Sequence, residues 1–147
     1  MLSEGISPER IIISPRRSDA AYLHMHDEVD MMLDCFPFAG LTVSAIAAWM
    51  GVPTLTIAGT TSSARAGAAL THSFGLEDFI ASDPADFVER AVALTSDLAK
   101  LAAVRASMRE RMALLFTNGE AYTRSFETEL RKAWQRWCQE LGPTHLP

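Results

Sequence analysis

Hydrophobic positions in the first eighty residues fall into short runs divided by polar and glycine-rich segments. Residues 10–14 (RIIIS) form a β-branched run ended by Pro15 and predict a strand. Ser18 offers an N-cap for a short helix through about Met25, with Asp19 in its first turn. Residues 29–34 (VDMMLD) are a second run of strand length, and residues 35–40 (CFPFAG) form a loop punctuated by Pro and Gly. From Thr42 the period changes. Val43, Ile46, Ala47 and Met50 fall at i, i+3, i+4 and i+7, one face of a helix. Gly51 can close that helix in a left-handed conformation, and Pro53 prevents its continuation. Residues 54–57 (TLTI) predict a third strand. A Gly-Thr-Thr-Ser turn, a small-residue helix over about 63–74 and a short strand over 79–81 follow.

The remainder reads as helical. Ser82 or Asp83 caps a helix from Pro84, where proline is tolerated in the first turn. Phe87, Ala91, Leu94, Leu98 and Leu101 continue an apolar stripe with a break near Asp97, and a further helix reaches about Leu115. After Asn118 and Gly119 a last helix carries Tyr122, Phe126, Leu130, Trp134, Trp137 and Leu141, spaced by three or four residues. That spacing predicts a stripe that packs on a core rather than one that holds a cofactor. Strands alternating with helices predict an α/β fold: a Rossmann-like parallel sheet flanked by helices, over residues 1–97. Residues 98–147 then form a helical C-terminal extension packing on that domain or on a partner domain. In such sheets ligands bind beyond the carboxyl ends of the strands, against a helix N-terminus. The loop at 35–40, leading into the Thr42 helix, holds that position. Its exposed amides suit a phosphate, with hydroxyls of Thr42 and Ser44 beside them.

Composition narrows the picture. The chain has 147 residues, enough for one core, with a net charge of −5 that argues against non-specific nucleic-acid binding. Ten charged residues precede Cys35, none lies between Cys35 and Ala64, and twenty-one follow. Prolines and glycines break this uncharged stretch, so it reads as the buried centre of a domain and not as a membrane span. Cys35 and Cys138 stand far apart, and the polar, acidic start does not resemble a signal peptide; reduced thiols and a cytoplasmic location are expected. His24 and His26 point in different directions on a helix and read as a solvated helix end rather than a metal site. No GxGxxG, GxxxxGK[ST] or GxSxG motif is present.

The segment FPFAGLTVSAIAAWMGVPTLTIAGTTSSARAGAAL resembles the C-terminal catalytic segment of the SPINDLY and O-GlcNAc transferase family. So do GISPERIIISP and EVDMMLD before it, and GLEDFIASDPADFVERAVAL and AYTRSFETELRKAWQRWC after it. The resemblance covers nearly the whole chain. It implies the C-terminal half of a GT-B glycosyltransferase, which holds a UDP-sugar donor and needs neither cofactor nor metal. Family members pass the sugar, with inversion, to Ser or Thr hydroxyls of an acceptor protein. It further implies that a missing N-terminal half, with helical repeats, supplies the acceptor site and any general base, so no catalytic residue is assigned within this chain.

Carried over position by position, the resemblance assigns donor contacts to Arg17, Tyr22, Gly40, Leu41, Thr42, Val43 and Ser44. Several of these depart from the family pattern. Leu41 stands where the family has His or Gly, and Val43 replaces the second threonine, with Ser44 one residue later. Ile46 occupies the place of an aspartate that bonds the ribose. Asp19 aligns with a lysine that reaches the diphosphate, Tyr22 with a histidine and Met25 with an arginine. Two expectations follow: a donor-binding segment incomplete on its own, or a non-catalytic remnant of the fold serving as a structural or interaction module.

Overall fold

The computed structural model describes residues 5–141. Three parallel strands make one sheet in the order β1-β2-β3: β1 Met32–Leu33, β2 Thr54–Ile57 and β3 Ile80–Ala81. Met32 lies opposite Thr54 and Leu33 opposite Leu55; Thr56 lies opposite Ile80 and Ile57 opposite Ala81. The central strand is buried from Thr54 to Thr56, as expected of a parallel strand covered on both faces.

Six α-helices accompany the sheet in the described residues: α1 Asp19–Met25, α2 Thr42–Trp49, α3 Ser62–Ser73, α4 Pro84–Ser96, α5 Leu98–Phe116 and α6 Gly119–Leu141. Leu55, Leu70, Phe74, Phe79, Phe87, Leu101 and Met108 form the core, drawing on β2, α3, α4 and α5. Helix α5 is tied down by three arginines. The Arg105 guanidinium donates to Asp30 at 2.9 Å, Arg109 lies 3.6 Å over the Trp49 ring, and Arg111 donates to the Phe74 carbonyl. Arg109 also donates to the Trp49 carbonyl at 2.9 Å, so the turn that ends α2 is held through its backbone and its ring together. Gly51 there has φ +83, a conformation strained for any side chain.

Most expected elements are present, with four differences. Residues 10–14 form no strand: Ile12 and Ile13 are 89% and 88% exposed. β-Branched residues favour strands where a pleated surface receives them, and here no neighbouring strand does so. The second run contracts to the two residues of β1. Helix α2 turns a different face inward, burying Ser44, Ala47 and Ala48 and exposing Val43. The stripe of α6 packs on no core within the described chain, since residues 122–140 are all exposed.

The N-cap of α4 gives a pH dependence. Amides of Asp86 and Ala85 donate to the Asp83 carboxylate and hold its pKa below the usual aspartate range. Asp86 is lowered as well, chiefly by the Ser82 amide. A folded-state pKa below the unfolded one stabilises above the unfolded value of about 3.9 and is lost as pH falls through the folded value. The protection of first-turn amides of α4 against hydrogen exchange, relative to the intrinsic rate at each pH, should therefore fall in acid. Asp83→Asn, which keeps a capping oxygen, should weaken that dependence and leave the part due to Asp86.

Candidate functional site

Beyond the carboxyl ends of the strands, the chain folds around one carboxylate. Asp34 follows β1 directly, and its amide donates to Leu55 O at 2.9 Å, continuing the ladder. Its side chain is 8% exposed and accepts three hydrogen bonds: from the Cys35 amide at 2.9 Å, the Gly40 amide at 2.9 Å and the Thr56 hydroxyl at 2.7 Å. One side chain thus joins β1, β2 and both ends of the loop leading to α2. Charge-assisted bonds of this kind are roughly twice as strong as neutral ones. Helix α3 presses on the same group through Gly67, where a Cβ would come within 2.3 Å of Asp34 Oδ2 and 2.7 Å of Thr56 Oγ1.

This arrangement decides what the start of α2 offers. The Gly40 amide is turned inward to Asp34, and the Ser44 hydroxyl donates to Gly40 O at 2.5 Å with Ser44 only 2% exposed. Both residues therefore shape the loop from within. Leu41, Thr42 and Val43 face outward. Leu41 at the N-cap makes no side-chain capping bond, and among the described residues the amides of Thr42, Val43 and Ser44 find no backbone acceptor. The other long helices of the sheet domain are capped: α3 by Thr61, α4 by Asp83 and α5 by Asp97. An uncapped helix start carries partial positive charge on free N–H groups, which suits an anion.

Two depressions flank these elements. One, of about 330 Å3, lies at the ends of β2 and β3 and is lined by Phe36, Pro37, Ile57, Thr60, Thr61 and Pro84 among others. Gly59 also lines it, and a Cβ there would stand 2.3 Å from the Ala64 Cβ. The other, of about 440 Å3, brings together Arg17, Asp19, Tyr22 and Met25, all singled out from the sequence, with Arg16 beside them. There Arg17 Nη2 donates to Ser14 Oγ at 2.7 Å, and the Tyr22 ring meets His26 edge-on at 5.1 Å. Among the described residues no side-chain hydrogen bond links this group to residues 40–44.

The two histidines divide. His24 is exposed beside Asp27, whereas His26 is 4% exposed, which corrects the expectation of a solvated pair. His26 Nδ1 faces the carbonyls of Tyr22 and Leu23 at 3.0 and 3.2 Å, so it carries the hydrogen. No three of His, Cys, Asp or Glu gather as a metal-binding group among the described residues.

A parallel sheet flanked by helices defines a Rossmann-like α/β class of domain. The chain belongs to glycosyl transferase family 41, whose sequence model matches residues 1–126. It is 32% identical over 142 residues to the "Probable UDP-N-acetylglucosamine--peptide N-acetylglucosaminyltransferase SPINDLY" of Solanum lycopersicum, covering 95% of this chain. To the UDP-N-acetylglucosamine--peptide N-acetylglucosaminyltransferase of Caenorhabditis elegans it is 25% identical over 147 residues, 99% of this chain. A mutant O-GlcNAc transferase of Thermobaculum terrenum superposes with a TM-score of 0.83 at 27% identity, over 96% of this chain. The chain spans 15% of the tomato protein, 13% of the nematode protein and 27% of the bacterial one. The fold is thus that of the C-terminal part of a GT-B O-GlcNAc transferase, ending in helices.

The Asp34 hub was missed in the sequence, where Asp34 counted only as the end of an apolar run. Two signals mark it: a charged residue at the edge of the uncharged stretch, and an isolated glycine inside an alanine-rich helix, which costs about 1 kcal/mol relative to alanine unless close approach requires it. Asp34→Ala should destabilise the domain by about 3 kcal/mol by stranding three donors, measured by urea unfolding. Thr56→Val, which removes one donor, should cost about 1 kcal/mol. Gly67→Ala should cost about 2 kcal/mol or more through overpacking against Asp34 and Thr56.

Proposed function

We propose that this chain is the donor-binding segment of a protein O-GlcNAc-type glycosyltransferase. In this reading a UDP-sugar lies along the start of α2, with the Arg17 and Tyr22 depression receiving part of the nucleotide. The observation that carries the proposal is the uncapped start of α2 beyond the strand ends, in a chain of this family. Amides of Thr42, Val43 and Ser44, with the Thr42 hydroxyl and the Arg17 guanidinium, oppose the diphosphate charge that grows as the bond to the sugar breaks. The scheme calls for no metal ion. An acceptor hydroxyl and the group that takes its proton come from a second domain, since the chain spans a small part of its relatives. Among the described residues no helix is long and apolar enough to cross a membrane, which fits a cytoplasmic enzyme acting on proteins.

One observation favours a second reading. Asp19 shares the depression with Arg17 and Tyr22 and sets a carboxylate against a diphosphate. Under that reading the fold persists as an interaction module without donor. Titration of the chain with UDP, followed by amide chemical shifts, separates the two. Donor binding should move the signals of residues 40–44 and of Arg17 and Tyr22, and Arg17→Ala should weaken binding by roughly tenfold. Unmoved signals at millimolar UDP would reject donor binding and leave the interaction module.

A further inference from the structure

We propose that Asp34 is the positioning residue of the donor site: it acts on the diphosphate through the 35–40 loop, by fixing where the first amides of α2 point. The inference rests on the donor-binding reading above. Three donors surround the carboxylate and the residue is 8% exposed, so Asp34 acts through the backbone it holds and not on a ligand directly.

The two carboxylate oxygens face different elements. Oδ1 accepts from the Cys35 amide at 2.9 Å and from the Gly40 amide at 2.9 Å, so the whole loop closes on one atom. Oδ2 accepts from the Thr56 hydroxyl at 2.7 Å and faces α3 at Gly67. The backbone of Asp34 is fixed in turn, because its amide donates to Leu55 O at 2.9 Å and carries the β1–β2 ladder one residue further. Oδ1 therefore transmits the position of the sheet to the loop, while Oδ2 locks the side chain itself.

The consequence falls on Gly40. Its N–H is held by Asp34 Oδ1 and its carbonyl by the Ser44 hydroxyl at 2.5 Å, so the peptide planes on both sides of this residue are set. Helical bonding starts with the next residue, where the Ala45 amide donates to Leu41 O at 2.9 Å. The unpaired amides of Thr42, Val43 and Ser44 stand between these two anchored points. Ala39, 6% exposed, is wedged below them: a Cβ at Gly67 would lie 3.2 Å from its Cβ. Backbone donors have no rotamers with which to follow a ligand, so their aim depends on what holds the backbone. Displacements of about 1 Å are enough to lose that precision.

Variants of the whole chain separate aim from stability, read by urea unfolding and by UDP titration followed at residues 40–44. Asp34→Asn keeps an oxygen for both loop amides, and its NH2 donates to the Thr56 hydroxyl, which accepts as readily as it donates. UDP affinity should stay within about threefold. Asp34→Ser and Asp34→Thr place a hydroxyl where Asp34 carries its Cγ, short of the Gly40 amide, and should weaken UDP by about tenfold or more. Threonine also fills most of the vacated space, so the test does not hang on one variant folding; core signals of Leu55 and Phe79 report the fold of each. Thr56→Val leaves Oδ1 with both its amides, and should lower the urea midpoint while UDP affinity holds within about threefold. Without ligand, the Gly40 amide should lose exchange protection in the two hydroxyl variants and keep it in Asp34→Asn. An unaltered chain that UDP does not shift overturns the donor reading and takes this inference with it. UDP bound equally well by a folded hydroxyl variant overturns the inference alone. So does a tenfold loss in Asp34→Asn, which makes the charge and not the loop the operative property, or an affinity that falls in Thr56→Val in step with its midpoint.

Discussion

The buried Asp34 carboxylate is the constraint on which the functional end of this domain depends. A lone ion in an apolar interior is expensive, and Asp34 meets that cost with two amides and a hydroxyl rather than with a cation. Because its acceptors are shared between β1, β2 and the 35–40 loop, none of these can move without stranding a donor. At Gly67 the absence of a side chain lets α3 close over the group. The uncharged character of residues 35–64 gains a physical meaning from this. The charge that organises the stretch sits one residue before it, and lower local polarity strengthens each of its bonds.

The loop geometry set by Asp34 determines which groups of α2 look outward. Gly40 and Ser44 are absorbed into holding the loop, so the surface at the helix start consists of backbone amides, one threonine hydroxyl and two apolar side chains. The far end of α2 is fixed independently by Arg109 on Trp49. The helix is thereby pinned at both ends by different elements, a suitable basis for a site whose precision comes from backbone rather than from flexible cations.

What the sequence made legible follows from the range of the interactions. The TLTI strand, the small-residue helix after it, the Asp83 cap with Pro84 and the break at Asp97 are local and could be read directly. Gly51 at positive φ was also legible, because only glycine adopts that conformation readily. Asp34 with Thr56 and Gly67 was not, since those bonds cross 22 and more residues and leave no periodic trace. The RIIIS run misled because β-branching reports compatibility with a sheet and not the presence of a neighbour. The face of α2 was misjudged for a similar reason: hydrophobicity favoured Val43, while a hydroxyl bond to Gly40 O drew Ser44 inward. Of the site, the family resemblance marked Arg17 and Tyr22, and the structure gathers them with Asp19 and Met25 in one depression.

The missing cap of α2 also has a thermodynamic side. In the longer helices α3, α4 and α5 the first turn is completed by Thr61, Asp83 and Asp97, residues always present. At α2 no side-chain cap among the described residues fills that place. Any anion bound there is then a structural part of the helix while it stays, and occupancy and local order become one equilibrium. Binding of that kind would stiffen the helix start on loading and loosen it on release, without any moving lid.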